Sequence, residues 1–382
     1  MKIITIFYVC HCDTSQPVGQ AIHVANSVKE LRQLGFRVIF VGPTIGNTAT
    51  LVPSSPDNFM VDIPRANYLR QVLLQPKIFH QLLAAKKMSE PRLVYIRHNL
   101  STFASVLFCI LYRIRYAIEL NNLTLDIPLL ERGRLYIPAW FTFIFTLWER
   151  FIFKKSSVIF CDTEFLKTKV SETYRIDRSK IIVNPNGIDR ERFKSQHRTK
   201  RESVPIIGFV GAIRAWQGLD TLVGAAYLLK EQGIKAKYLI VGDGPEMQQL
   251  REAVQKRGLH HEFEMIGHVN YEDVPKYIDQ FSIAVAPFKA CVNGSAIKIF
   301  EYMAAAKPVI ASAIPGVKEI LQRYNVGVLV EPEDVSELAK AIIRLLTNEK
   351  EALQMGEIGK RIAQEQFTWL ANAKRIVAAV SL

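Results

Sequence analysis

Short apolar runs alternate with helix-length amphipathic stretches along almost the whole chain, and this alternation constrains the fold more than any other feature. The runs are "KIITIFYV", "RVIFVG", "RLVYIR", "YAIEL", "SVIFCD" and "KIIVNP" in the first half. In the second half they are "PIIGFVG", "KYLIVG", "FEMIG", "SIAVAP", "KPVIAS" and "GVLVEP". Between them the pattern predicts helices such as Gln20–Leu34, Leu219–Glu231, Glu246–Arg257 and Val335–Leu346. Branched runs without an inside–outside alternation belong to strands buried on both faces, and a helix between successive strands makes them parallel. At 382 residues the chain exceeds what one core holds, roughly 250–300 residues. The pattern therefore predicts an α/β protein of two doubly wound, Rossmann-like domains, with the ligand in a central cleft at the strands' carboxyl ends. The expected boundaries are a first domain at 1–184, a polar linker at 185–204 carrying Pro185 and Gly187, and a second domain at 205–365. A last helix over 366–382 is free to pack back on the first domain.

Charge narrows the partners. The net charge is +13, and residues 1–190 carry +10 of it, from 24 Lys and Arg against 14 Asp and Glu. A basic first half suits phosphates, nucleic acid or an anionic membrane face. No nucleic-acid recognition motif accompanies it, so nucleic acid is not an expected partner. The five cysteines, Cys10, Cys12, Cys109, Cys161 and Cys291, are odd in number and scattered, a reduced pattern that suggests a cytoplasmic setting. Cys10-His11-Cys12 lacks a second ligand pair at zinc spacing. It reads as a strand end rather than a metal site, and no metal is expected.

No signal peptide is recognised in "MKIITIFYVCHCD", and no segment reaches the ~18 uncharged apolar residues of a membrane span. The nearest is "LYIPAWFTFIFTLW", Leu135–Trp148, followed by Arg150, Lys154 and Lys155. Two readings stand side by side: a core helix, or an interfacial anchor holding the protein to the inner face of a membrane.

The stretch "GSAIKIFEYMAAAKPVIAS", 294–312, carries the chemistry. Strand "FSIAVAP" ends at Pro287, a loop follows, and a helix is expected to start near Ser295. Ser295 is a good N-cap, and free N–H groups behind it suit a phosphate. Lys298 lies one turn in, and the Glu301 carboxylate is placed to accept two hydrogen bonds from a ribose diol. The opposing reading is a surface Lys298–Glu301 pair three residues apart, worth ~0.3 kcal/mol. Local spacing leaves the two level.

Context separates them. In order along the chain stand "NPNGID" (184–189), "FVGAIRAWQGLD" (209–220), "VGDGP" (241–245), "SAIKIFEYMAAAKPVIAS" (295–312), "PGVKEIL" (315–321) and "GVLVEPED" (327–334). Together they resemble the retaining glycosyltransferases of family 4, the two-domain GT-B type also called glycosyl transferases group 1. The resemblance covers nearly the whole chain. It implies that Glu301 holds the donor's ribose and that Ser295, Ala296, Ile297 and Lys298 contact its diphosphate. Gly211, Arg214, Gln217 and Gly244 complete the donor site, with Gly19 approaching from the first domain. The implied catalytic groups are Arg214, Lys298 and Glu301. The loop departs from the family pattern, because Ala212 and Gln217 stand where an Arg and a Lys are usual. Arg214 and Lys298 are the cations available instead, with a surface salt bridge as the other reading of Arg214. Asn293 replaces the first glutamate of the usual Glu-x7-Glu pair.

In the first domain, "PVGQAIHVANSVKELRQLGFRVIFV" resembles the family's opening loop, helix and second strand, with Val18 replacing one glycine of the usual pair. His23 there is read as a packed histidine ahead of a catalytic one. His98, Glu119 and Asn121, at strand ends, are the acceptor-pocket candidates. Asn121 stands where many relatives carry a His.

The implied reaction moves a sugar from a UDP- or GDP-sugar to a hydroxyl of a glycan or lipid-linked acceptor, as in polysaccharide or glycolipid biosynthesis, with no cofactor required. Relatives of this type need no metal, and no Asp-x-Asp triplet occurs. Two other readings remain: a nucleotide-sugar epimerase on the same fold, disfavoured by Asn293, and a non-catalytic nucleotide-binding scaffold. A dehydrogenase is disfavoured because no Gly-x-Gly-x-x-Gly follows the first strand.

Overall fold

Branched and aromatic residues build central strands that are buried on both faces, and helices cover each face. The structure, a computed structural model, describes residues 3–15, 19–45, 50–63, 70–99, 102–123, 139–193, 204–290 and 297–380. The chain divides into two compact units, Met1–Gly187 with Trp369–Leu382, and Ile188–Thr368.

The first unit holds a seven-stranded sheet of β1 (Thr5–Val9), β2 (Arg37–Ile45), β3 (Asn58–Ile63), β4 (Leu93–Arg97), β5 (Tyr116–Leu120), β6 (Val158–Cys161) and β7 (Ile181–Val183). The order is β3-β2-β1-β4-β5-β6-β7, and all pairings are parallel. Its first helices are α1 (Gly19–Gln33), α2 (Arg70–Met88), α3 (Phe103–Leu111), α4 (Ala139–Lys155) and α5 (Glu164–Tyr174). One face packs Val24, Val28 and Leu31 of α1 against Ile6, Tyr8 and Tyr95. The other packs α2 to α5 against Phe7, Ile39, Val94 and Ile118.

The second unit holds β8 (Ile206–Val210), β9 (Lys237–Val241), β10 (Phe263–Gly267), β11 (Ile283–Ala286), β12 (Val309–Ser312) and β13 (Gly327–Val330). Their order is β10-β9-β8-β11-β12-β13, again parallel. The helices are α6 (Leu219–Glu231), α7 (Met247–Lys256), α8 (Val274–Ile278), α9 (Ile297–Ala304), α10 (Pro315–Tyr324), α11 (Val335–Thr347) and α12 (Glu349–Gln366). Last comes α13 (Trp369–Val380), which belongs to the first unit. Side-chain caps start two of these helices: Asp334 accepts from the Glu337 N–H and Asn348 from the Glu351 N–H.

The structure refines the sequence expectations in three places. β3 was not anticipated. It is an edge strand, with Asn58 and Asp62 interrupting its apolar residues, so it lacks the continuous run that marks a central strand.

The division between the two units falls between residues 187 and 188, inside the expected linker. Ile188 donates its N–H to the Phe367 carbonyl (2.8 Å), and Phe193 is buried. Residues 194–203 of the expected linker lie outside the described residues. At the far end, Phe367 stacks on Phe300 at 4.3 Å and stays with the second unit. From Trp369 onward the chain belongs to the first, and Ala373, Ile376 and Val380 join its core. Trp369 sets its ring edge-on to His23 at 5.0 Å, and Asn372 Nδ2 donates to the Pro185 carbonyl (2.9 Å).

The apolar segment read as 135–148 forms α4 from Ala139 to Lys155, and residues 135–138 lie outside the described residues. It takes something from both readings. Phe145, Ile152 and Phe153 are buried, whereas Trp140, Phe143, Ile144, Leu147 and Phe151 are exposed. No helix among the described residues is long and apolar enough to cross a membrane.

Candidate functional site

In each sheet the strand order reverses once, between β1 and β4 and between β8 and β11. Ligands of doubly wound sheets gather at the carboxyl ends of such strands. In the second unit, the loop leaving β8 begins at Gly211, which takes φ 141°. A side chain there would come within 2.8 Å of the Lys298 Nζ, so glycine makes room for the ammonium. The loop ends in a single 3-10 turn, Ala215–Gln217, and is clamped at Gly218, with φ 67°. A Cβ at Gly218 would stand 1.8 Å from the Pro287 carbonyl oxygen, so the loops after β8 and β11 are in backbone contact. Gly244 lies equally close to the loop, since a Cβ there would be 2.3 Å from the Ile213 carbonyl oxygen.

Helix α9 brings Lys298 and Glu301 to this frame. The Lys298 ammonium donates to Gln217 Oε1 at 2.7 Å. It sits 3.9 Å from the Phe209 ring centre and 5.3 Å from that of Phe288. Burial lowers the ammonium to about 7, with Glu301 working in the opposite direction. Glu301 is itself buried, and burial raises its carboxyl to about 7. A hydrogen bond with Tyr271 and the nearby Arg192 and Lys298 pull the other way. The Arg192 guanidinium stacks on the Tyr271 ring at 3.6 Å and donates to the Tyr271 carbonyl, so it steadies the residue that holds Glu301.

The surface-pair reading of Lys298 and Glu301 fails, because Glu301 is buried and Lys298 bonds to Gln217 instead. Gln217 is buried too, as the partner of that lysine. Arg214 is exposed on the loop, and its side chain pairs with no carboxylate among the described residues. The salt-bridge reading of Arg214 is therefore not what those residues show. Ile297, half-buried, opens α9. Ser295, Ala296 and Asn293 lie outside the described residues, as does Val18.

The first-unit candidates divide. His23 is buried in α1, donates from Nδ1 to Asn186 Oδ1 (2.6 Å) and has Nε2 2.9 Å from Glu119 Oε1. It is a packed histidine within a polar cluster. Glu119 ends β5 and is the hub, accepting from Arg97 and, at 3.3 Å, from the Tyr8 hydroxyl. Burial pushes its carboxyl up, but His23 and Arg97 more than offset that and leave it lowered to about 2. The Asn121 amide completes the cluster, its nitrogen 2.9 Å from Glu119 Oε1 and its oxygen 2.8 Å from Arg97 Nη2.

His98 is directed elsewhere. Nε2 lies 2.8 Å from Glu149 Oε1 and Nδ1 2.9 Å from the Thr102 hydroxyl, with the ring buried. Both nitrogens are committed to the interior, so His98 is a structural contact between the β4 end and α4, not part of the Glu119 cluster. Gly19 is exposed at the first position of α1.

Three contributors went unremarked in the sequence: Arg97, Arg192 and Tyr271. For Arg97 a signal existed, because a charged residue closing the buried run "RLVYIR" must find a partner. Arg192 and Tyr271 carry no such mark, since their neighbours are polar and only the fold brings them to Glu301. Cys10 and Cys12, at the end of β1, have sulfurs 2.9 Å apart and are free thiols. Among the described residues no group of three or more His, Cys, Asp or Glu is arranged to hold a metal ion.

Comparison with known proteins gives consistent matches. The family model described as Glycosyl transferases group 1 matches residues 189–362, and that described as Glycosyltransferase Family 4 matches residues 17–192. Among curated relatives, the GDP-mannose-dependent alpha-(1-6)-phosphatidylinositol monomannoside mannosyltransferase of Mycobacterium tuberculosis is 26% identical over 205 residues. That stretch is 50% of this chain and 53% of that one. The chain spans between 42% and 59% of the length of such curated relatives. Among solved structures, sucrose-phosphate synthase from Thermosynechococcus elongatus superposes with a TM-score of 0.79 at 19% identity, over 98% of each chain. The Anabaena protein HepE, solved in complex with UDP, gives 0.75 at 15% identity, over 99% of this chain and 100% of that one. At such identities the likeness shows the fold, two doubly wound α/β units of the GT-B class.

Proposed function

The chain belongs to the family 4, group 1 glycosyltransferases, and from that premise we propose that it transfers a sugar from a UDP- or GDP-sugar to an acceptor hydroxyl with retention of anomeric configuration. One observation carries the donor reading. At the carboxyl ends of β8 and β11, a half-buried lysine and a buried glutamate stand one helical turn apart, both with shifted pKa values. Such shifts gather at functional sites. A diphosphate beside Lys298 would supply the counter-charge that burial denies the ammonium. A ribose diol would give the Glu301 carboxylate the donors it needs to ionise.

The chemistry then follows from charge. As the bond to the anomeric carbon breaks, the sugar becomes oxocarbenium-like and the departing diphosphate gains negative charge. A fixed ammonium aimed at that diphosphate stabilises the transition state more than the ground state. Arg214, exposed on the loop between β8 and α6, is the second cation for this role. The departing phosphate oxygen is placed to take the acceptor's proton, so no strong protein base is required. On this reading the enzyme works without a metal or other cofactor.

The acceptor is read as a glycan or lipid-linked glycan met at the cytoplasmic, inner face of a membrane. The net +10 of residues 1–190 and a phosphatidylinositol-mannoside relative support that choice. On this reading the buried Glu119 cluster, at the carboxyl ends of the first sheet, would lie beneath the acceptor.

A thermal-shift panel of nucleoside diphosphates and their sugars tests the reading. Stabilisation should grow with ligand concentration over its dissociation constant, and Glu301→Ala should remove it together with turnover. A flat response of the wild type to every uridine and guanosine ligand would sink the proposal. A second reading, a nucleotide-binding scaffold, is favoured by Ala212 and Gln217 in the usual cation positions. It would show as a normal nucleotide response with no hydrolysis or transfer from any donor.

A further inference from the structure

We propose that the outward face of α3 and α4 docks the first unit on an anionic phospholipid bilayer, lying within the interface and not crossing it. The purpose of such docking rests on the acceptor reading above, but the binding itself is argued and tested separately.

Helix α4 is apolar on its outer face as well as its inner one, unlike an ordinary surface helix. Its one carboxylate, Glu149, is buried and held by His98 and the Tyr174 hydroxyl. Its exposed stripe is Trp140, Phe143, Ile144, Leu147 and Phe151, at steps of three and four residues, with Trp140 and Phe143 each 65% exposed. The next step along the stripe reaches Lys154 and Lys155, both exposed. Helix α3 repeats the pattern with no charged residue of its own. Phe103, Leu107, Ile110 and Leu111 are exposed, with Arg113 and Arg115 just beyond. The Phe103 ring stacks on Trp148 at 4.8 Å, which joins the two helices into one continuous apolar surface.

An apolar, aromatic face bounded by lysine and arginine matches the boundary between acyl chains and anionic headgroups. Each basic residue near such a surface adds to the attraction, and neither helix presents an exposed carboxylate to oppose it. A second copy of the chain is a poorer occupant. A two-fold contact through this face would offer its basic residues no exposed carboxylate from the same face of the other copy.

Vesicle sedimentation of the full chain, without donor or acceptor, tests this. Wild type should partition onto vesicles containing phosphatidylglycerol and far less onto phosphatidylcholine alone. Phe143→Ser/Leu147→Ser and, separately, Leu107→Ser/Leu111→Ser should each lower partitioning by roughly tenfold or more. Lys154→Glu/Lys155→Glu should remove the preference for anionic vesicles. Unchanged melting and an unchanged thermal response to nucleoside diphosphates show that the variants are folded. That same response judges the glycosyltransferase reading independently. Wild type remaining in the supernatant, or variants that sediment like wild type, would overturn the proposal. So would a concentration-dependent dimer that Phe143→Ser/Leu147→Ser dissolves.

Discussion

Lys298 costs the free protein stability. Its ammonium is lowered from 10.5 to about 7, so the unfolded chain holds more protons than the folded one between those values. Stability from this group therefore rises as pH climbs from about 7 towards 10.5, and below about 7 the full penalty remains. Lys298→Met should raise the melting temperature of the free protein, by the equivalent of ~1–2 kcal/mol at or below neutral pH, with the gain fading in alkali. The same change should cut sugar transfer by about a hundred- to a thousandfold, since a preorganised charge is lost. Calorimetry and initial-rate assays on one preparation check both halves.

Binding turns the argument round. A diphosphate favours the charged lysine, so affinity should weaken as pH rises above about 7, by at most about tenfold per unit. Titration calorimetry with a nucleoside diphosphate from pH 6 to pH 9, on the wild type and on Lys298→Met, measures the slope as the difference between the two. A flat profile would mean that Lys298 does not meet the phosphates.

Among the elements, the loop from Gly211 to Gly218 has the least freedom to change. Gly218→Ala needs a left-handed residue where a Cβ would stand 1.8 Å from the Pro287 carbonyl oxygen. A loss of at least about 2 kcal/mol is expected, with a diminished thermal response to nucleotide, both read by melting with and without ligand. This loop also marks the limit of what sequence reasoning reaches. All six runs of the second half became strands, the four central ones because continuous branched residues have few alternatives once both faces are covered. β3 escaped because an edge strand does not need such a run. The positions of Gln217 and Lys298 were legible, but their bond was not, since 81 residues separate them. His98 and Glu119 both close buried strands. Only the fold shows that one reaches back to α4 while the other gathers Arg97, Tyr8 and His23. The rule that a buried charge must be paired promises a partner without naming it.

For the molecule as a whole, the two units should melt as two events. Trp369 is nearly fully buried in the first unit although it follows the last residue of the second. Trp369→Ala should lower only one transition, at a cost of about 3–5 kcal/mol, while a nucleoside diphosphate raises only the other. Differential scanning calorimetry separates them, and a single transition that responds to both would contradict the division.

That division has a consequence for the gene. Ile188–Thr368 is one uninterrupted stretch, whereas the unit around it is assembled from two, Met1–Gly187 and Trp369–Leu382. The inner stretch sits in its host like a cassette, with one splice site at each border. Exchanging it for the same stretch of a relative should transplant donor preference and leave the host's acceptor choice behind. Removing residues 369–382, by contrast, would damage the unit built from residues 1–187.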